Sequence, residues 1–273
     1  MNRALWQRAI ADAWVQLVAS MAVLLAFGWV FVWLMSTLPK AAVSTLLQFV
    51  LEFIKPALPV PVADLASPIG QLTFPFVHAI TFLVCLGWAL GRGSAISAEI
   101  NRGTGDLLFT LPVRRASVLL AHAVVAALGA AAIAASLWGG IALGLLTVDM
   151  APDVSPRYYL PGTVNLFTLM LCLIGLTNLV SALSCDRWRT IIVTGAIFVV
   201  ASGIDLVRLI WRDGWWLNYC TFMSAYRPQE LTLKHPPWGW MAIACNGSLA
   251  ALGLAGLVAA AVIIARRDIP QPR

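Results

Sequence analysis

VLLAHAVVAALGAAAIAASLWGGIALGLLTV, residues 118–148, carries no charged side chain in 31 positions. Backbone polar groups cannot be left unpaired in hydrocarbon, so an apolar run of this length reads as a membrane-spanning helix. A span needs roughly 20 such residues, and this one has length to spare for tilting or protruding. Five further apolar runs lie at 15–38, 73–90, 161–183, 191–210 and 240–265. Composition says the same. Hydrophobic residues make up 60% of the 273-residue chain and charged residues only 11%, against about 25% in soluble proteins. The expected fold is an all-α polytopic membrane protein, a single transmembrane domain over 1–273 with six spans.

Six spans place both termini on one side. The N-terminal tail, 92–117, 185–190 and the tail from Arg266 then share eleven of the 18 lysines and arginines. The opposite segments hold seven of the 18 basic residues and seven of the 12 acidic ones. The positive-inside rule puts both ends in the cytoplasm of a multi-pass protein of the plasma (inner) membrane. The first span is longer than a signal-peptide core and no small-residue cleavage site follows it, so it is expected to stay uncleaved. The net charge of +6 needs no nucleic acid to explain it. The cysteines at 85, 172, 185, 220 and 245 share no metal-type spacing and read as small core residues.

Three segments between the spans have patterns of their own. Trp6, Ile10, Ala13 and Trp14 recur at helical spacing with Arg3, Gln7, Arg8 and Asp12 largely opposite, which suits an N-terminal helix lying on the membrane surface. Val43, Leu46, Leu47, Val50, Leu51 and Ile54 form a second stripe, stopped by Pro56, Pro59 and Pro61, and read as an outer surface helix. The stretch 211–240 holds Trp211, Trp215, Trp216, Tyr219, Tyr226, Trp238 and Trp240. Such aromatics favour the membrane–water boundary, so a re-entrant or interfacial outer element is expected there.

The loop SAISAEINRGTGDLLFTLPVRRAS, residues 94–117, carries the functional signal. Ser94 can cap a first short helix and Gly103 suits the left-handed residue that ends it. Thr104 can cap a second, with Asp106 in its first turn and Leu107, Leu108 and Leu111 on one side. Pro112 ends that helix and can open the next. A solvated loop would not ordinarily present Leu107, Leu108, Phe109 and Leu111 together, so the membrane surface or a partner should cover them.

The run Glu99–Ile100–Asn101–Arg102–Gly103–Thr104–Gly105–Asp106–Leu107–Leu108, followed by Leu111–Pro112–Val113, resembles the corresponding loop of permease subunits of type-2 ABC transporters. The Arg266–Arg267–Asp268–Ile269 ending is similar too, and the order of spans matches in outline over the whole chain. The resemblance implies a half-transporter: two six-span subunits, as a second copy or a paralogue, form the path, and a separate ABC ATPase subunit drives it. ATP and magnesium would be bound by that partner, with no cofactor in this chain. It implies ATPase docking and coupling through the loop around Ile96, Glu99, Arg102, Gly103, Thr104, Asp106, Leu107, Leu108 and Pro112. Glu99 and Arg102 are expected to make polar docking or loop-stabilising contacts, and Leu107 and Leu108 to pack the loop under the spans. The chain departs from the family pattern at Gly105–Asp106 and at Ala121–His122.

No G-x-x-x-x-G-K-[ST] phosphate loop, H-E-x-x-H pattern or Ser-His-Asp arrangement is present. The chain is therefore expected to be a transport subunit, of an exporter by analogy with that family, and not an enzyme by itself. Within or near the spans, His78, His122, Asn178, Asp205, Arg208 and Asn246 are candidate translocation-path groups, since polar residues there are costly. Asp205 and Arg208, three apart, can pair on one helix face. His78 and His122 lie at different depths, which argues against a shared metal or haem. Two other functions compete: a scaffold that anchors an ATPase without transport, and a membrane-embedded cofactor-binding enzyme.

Overall fold

The computed structural model describes residues 3–38, 60–101, 115–148, 154–184, 186–211, 213–233 and 238–266. Among them there is no strand, and six helical stretches are long and apolar enough to cross a membrane. The architecture is that of a multi-pass helical membrane protein.

The first helix, α1, runs unbroken over Arg3–Thr37. Nothing in it stops a helix: it has no proline, and Pro39 follows just after its end. The expected separate surface helix at the N-terminus is therefore the first turns of the span itself. At about 1.5 Å per residue, α1 exceeds the roughly 30 Å hydrocarbon layer by several turns. Ala9 and Ala13 face inward there, while Ile10 and Trp14 are exposed.

The second stretch is continuous in composition but broken in backbone. A short α2 (Val62–Ala66) precedes α3 (Pro68–Gln71), α4 (Phe74–Val77) and α5 (Ala79–Gly93). Prolines open α3 and α4, where a missing N–H costs least. His78 is extended between α4 and α5, and its ring nitrogen Nδ1 accepts the Ile80 N–H at 3.2 Å. The expected uninterrupted span over 73–90 is thus a straight helix only from Ala79 onward.

The loop helix α6 (Ala95–Asn101) follows, then α7 (Arg115–Thr147), α8 (Leu160–Leu183) and α9 (Arg187–Ile210). Asp186 caps α9 by accepting the Trp188 N–H at 3.0 Å, which starts that span four residues ahead of its apolar run. Beyond α9 come two 3-10 turns, Trp215–Tyr219 and Phe222–Ala225, then α10 (Pro228–Leu233) and α11 (Trp240–Arg266). The amphipathic stretch at 43–54 and the second loop helix expected after Gly103 lie outside the described residues.

Small residues set the packing. α1 lies along α7, and a methyl at Gly140 would run into the Leu25 backbone. α8 lies along α11, where one on Gly253 would sit 2.5 Å from the Leu171 carbonyl oxygen. Backbones can approach this closely only without side chains between them, which is how helices associate where burial from water cannot drive them. α8 is the most buried of the six candidate spans. Trp88 of α5 is fully buried, and its indole N–H donates to the Ala126 carbonyl of α7 at 2.9 Å. Cys85 and Cys172 are buried in the same core, as small core-filling residues should be, whereas Cys220 is exposed in the turns after α9 and fills no core. The outer faces are apolar: Leu83, Val199 and Leu254 are all more than 60% exposed, as side chains facing lipid would be.

Candidate functional site

α6 is only seven residues long, too short to be stable alone, so its position depends on what it touches. Three kinds of contact hold it. Ile96 packs with Leu119 of α7, Ala182 of α8 and Ala260 and Ile264 of α11. Ser97 sits in a buried hydroxyl cluster: its N–H donates to Ser181 Oγ at 3.0 Å, Ser181 Oγ–H donates to Ser97 Oγ at 3.1 Å, and Thr190 Oγ1–H donates to the same oxygen at 3.1 Å. Glu99 accepts from Arg8 Nη2 through both carboxylate oxygens, at 2.9 and 3.0 Å. The loop helix is thereby tied to α1, α7, α8, α9 and α11.

Ile96 and Glu99 are both buried, at 6% and 7% exposure. Of the two roles expected of Glu99, its geometry is the loop-stabilising one, and Ile96 faces the bundle rather than outward. Arg102, Gly103, Thr104, Asp106, Leu107, Leu108 and Pro112 lie outside the described residues.

Beside α6 a cleft of about 110 Å³ is lined by Asp12, Gly91, Arg92, Ala95, Ala98, Glu99, His122 and Arg187. Arg92 Nη1 donates to the Asp12 backbone carbonyl at 2.9 Å, and its guanidinium lies 5.9 Å from the Trp88 ring centroid. His122 belongs to this cleft. His78 does not: its ring stacks at 4.9 Å from Phe27, fifteen residues along α1 from Asp12. At about 1.5 Å per residue the two histidines are separated by roughly 20 Å, so they share no site. Among the described residues no group of three His, Cys, Asp or Glu could hold a metal ion.

The remaining intramembrane candidates are used within the chain. Asn178 donates to the Ile174 carbonyl of its own helix at 2.8 Å. Arg208 Nε donates to Asp205 Oδ1 at 2.9 Å, the pairing that their spacing suggests. Asn246 joins a second polar centre: its Oδ1 accepts from Asn165 Nδ2 at 2.9 Å and from Thr168 Oγ1 at 3.0 Å. Asn165 Oδ1 in turn accepts the Arg227 N–H at 2.8 Å, and Arg227 Nη1 pairs with Glu230 at 3.1 Å. That centre anchors the aromatic segment between α9 and α11. Its α10 turns into the bundle and is buried along most of its length, whereas Trp215, Tyr219 and Trp240 are more than 70% exposed. Tyr226 donates its hydroxyl to the Phe76 carbonyl at 2.6 Å, and burial pushes that hydroxyl's pKa well above its usual range, which keeps the donor proton in place.

No family model matches the chain, and no curated protein matches it. Sequence reasoning had passed over Arg8 as a pairing group, the Ser97–Ser181–Thr190 cluster, and Asn165 with Thr168. The Arg227–Glu230 pair went unread as well, although its three-residue spacing is a sequence signal.

Proposed function

We propose that this chain is the membrane-spanning permease subunit of an ATP-driven ABC exporter, working as a dimer with a second copy or paralogue and driven by a separate cytoplasmic ATPase. The resemblance of the 99–113 run is one support. The observation that carries the reading is the way α6 is built into the bundle. A loop meant only to connect two spans needs no ion pair to α1, no shared hydroxyl cluster with α8 and α9, and no packing against α11. A loop meant to transmit force does.

In this reading both termini are cytoplasmic, in keeping with the excess of basic residues on that side. Closure of the ATPase on ATP favours one position of the loop, and α6 carries the change directly into α1, α8 and α9. ATP can shift the spans only by as much as it stabilises one loop position over the other. The buried contacts of Ile96, Ser97 and Glu99 make α6 the stiff end of the device. The docking contacts with the ATPase then fall to the 102–112 stretch, with Leu107 and Leu108 its apolar part.

A photo-crosslinking amino acid at Leu107 tests this. Irradiation in native membranes should yield an adduct with a protein that carries a G-x-x-x-x-G-K-[ST] motif. Adducts with lipid or with this chain alone would contradict the reading.

A further inference from the structure

We infer that the cleft beside α6 is a binding site for a phosphate anion at the membrane boundary. This does not depend on the transport reading.

Five helices meet there. Asp12 comes from α1, Gly91 and Arg92 from α5, Ala95, Ala98 and Glu99 from α6, His122 from α7 and Arg187 from α9. Counting Arg8, the partner of Glu99, the described residues bring three guanidinium groups and two carboxylates here. Glu99 has both its oxygens on Arg8, so its charge is already matched. Among the described residues the excess charge is positive, in a cleft whose room of about 110 Å³ suits a compact tetrahedral anion and not a bulky one.

Two further observations favour a phosphate over other small groups. The Arg187 Nε is buried with no hydrogen-bond partner among the described residues. A buried donor of that kind is normally satisfied, and the fork of a guanidinium matches the oxygens of a phosphate. Exposed tryptophans also lie within a helical turn of two lining residues, and so at similar depth: Trp14 two residues from Asp12 and Trp188 next to Arg187, at 57% and 67% exposure. Tryptophans gather at headgroup depth, and basic pockets between spans at that depth take lipid phosphates. The α5 end and the α9 start both fall here, so Arg92 and Arg187 sit where the second span leaves the hydrocarbon and the fifth enters it.

The same chemistry could reach the cleft as an anionic lipid headgroup or as free phosphate. The purified full chain, delipidated in detergent, is titrated by native mass spectrometry with phosphatidylglycerol, with phosphatidylcholine and with phosphatidylglycerol in the presence of inorganic phosphate. Wild type is compared with Arg187→Gln and with Ala95→Asp, which adds a carboxylate to the cleft wall. Phosphatidylglycerol should bind wild type about tenfold more tightly than either variant, the size of one charge-assisted contact. Competition by inorganic phosphate assigns the site to the free anion, and its failure to compete assigns it to the lipid. Equal binding by wild type and folded variants overturns the proposal, as does indifference between the two lipids with no competition by inorganic phosphate. Should both variants misfold, the wild type alone decides: phosphatidylglycerol or phosphate should shield Arg187 from phenylglyoxal while leaving the exposed Arg189 reactive. Equal modification of the two arginines would overturn it.

Discussion

Replacing Arg8 and Glu99 by alanine, singly and together, measures how firmly α6 is tied to α1. The Glu99 side chain is 9% exposed and that of Arg8 is 47% exposed. A fully exposed pair is worth about 0.2–1 kcal/mol, whereas breaking a fully buried one costs about 3–5 kcal/mol. With one partner buried and the other half in solvent, the screened value falls between these limits. A coupling of about 1–2 kcal/mol is expected from the double-mutant cycle. Arg8→Ala alone should cost about 2 kcal/mol, because it withdraws the cation from a buried carboxylate. For a chain of this size that corresponds to a melting shift of about 4–8 °C, read from tryptophan fluorescence in detergent. High salt should shrink the coupling, since the Arg8 side is open to ions. A cycle energy below about 0.3 kcal/mol would refute the reasoning and reduce the contact to an incidental one.

Three other perturbations follow from the packing. Trp88→Phe removes the indole N–H from the Ala126 carbonyl and empties part of a fully buried site, so stability should fall by about 2–3 kcal/mol in the same melt. Gly253→Leu drives a side chain into the Leu171 backbone and should abolish the monodisperse folded species in size-exclusion chromatography, where Gly247→Ala, with open space at its Cβ, should leave it intact. Tyr226→Phe deletes the hydroxyl that holds the aromatic segment to Phe76. It should cost about 1 kcal/mol and speed proteolysis after Arg227.

The spans were legible because lipid imposes a requirement that composition alone reveals. Runs of 20 or so apolar residues have few alternatives, and the helices over Leu160–Leu183 and Trp240–Arg266 begin and end within a residue or so of their runs. Polar starts were missed for a physical reason. Asp186 and Arg187 open α9 before its apolar stretch begins, and hydropathy is blind to a cap. Pro75 and His78 interrupt the second span while its mean hydropathy, 1.8, still reads as a span, although the proline is a visible warning.

The candidate site divides along the same line. Periodicity within one segment identifies a face but not the helix that the face meets. Arg8 and Glu99 are 91 residues apart, and the hydroxyls of Ser97 and Thr190 are 93 apart. Neither pairing has any local signature. Asp205–Arg208, at three residues, did. The leucine run at 107–111 lies outside the described residues, and the partners that α6 finds inside the chain have no signal in its own segment.

Co-purification of the tagged chain from native membranes in mild detergent, with mass spectrometry of what accompanies it, tests the central claim most directly. The account predicts recovery of an ATP-binding cassette ATPase, lost when Leu107 and Leu108 are both replaced by arginine in a protein that still folds. Recovery of the intact chain with no such ATPase, or with one that the double replacement leaves bound, would contradict it.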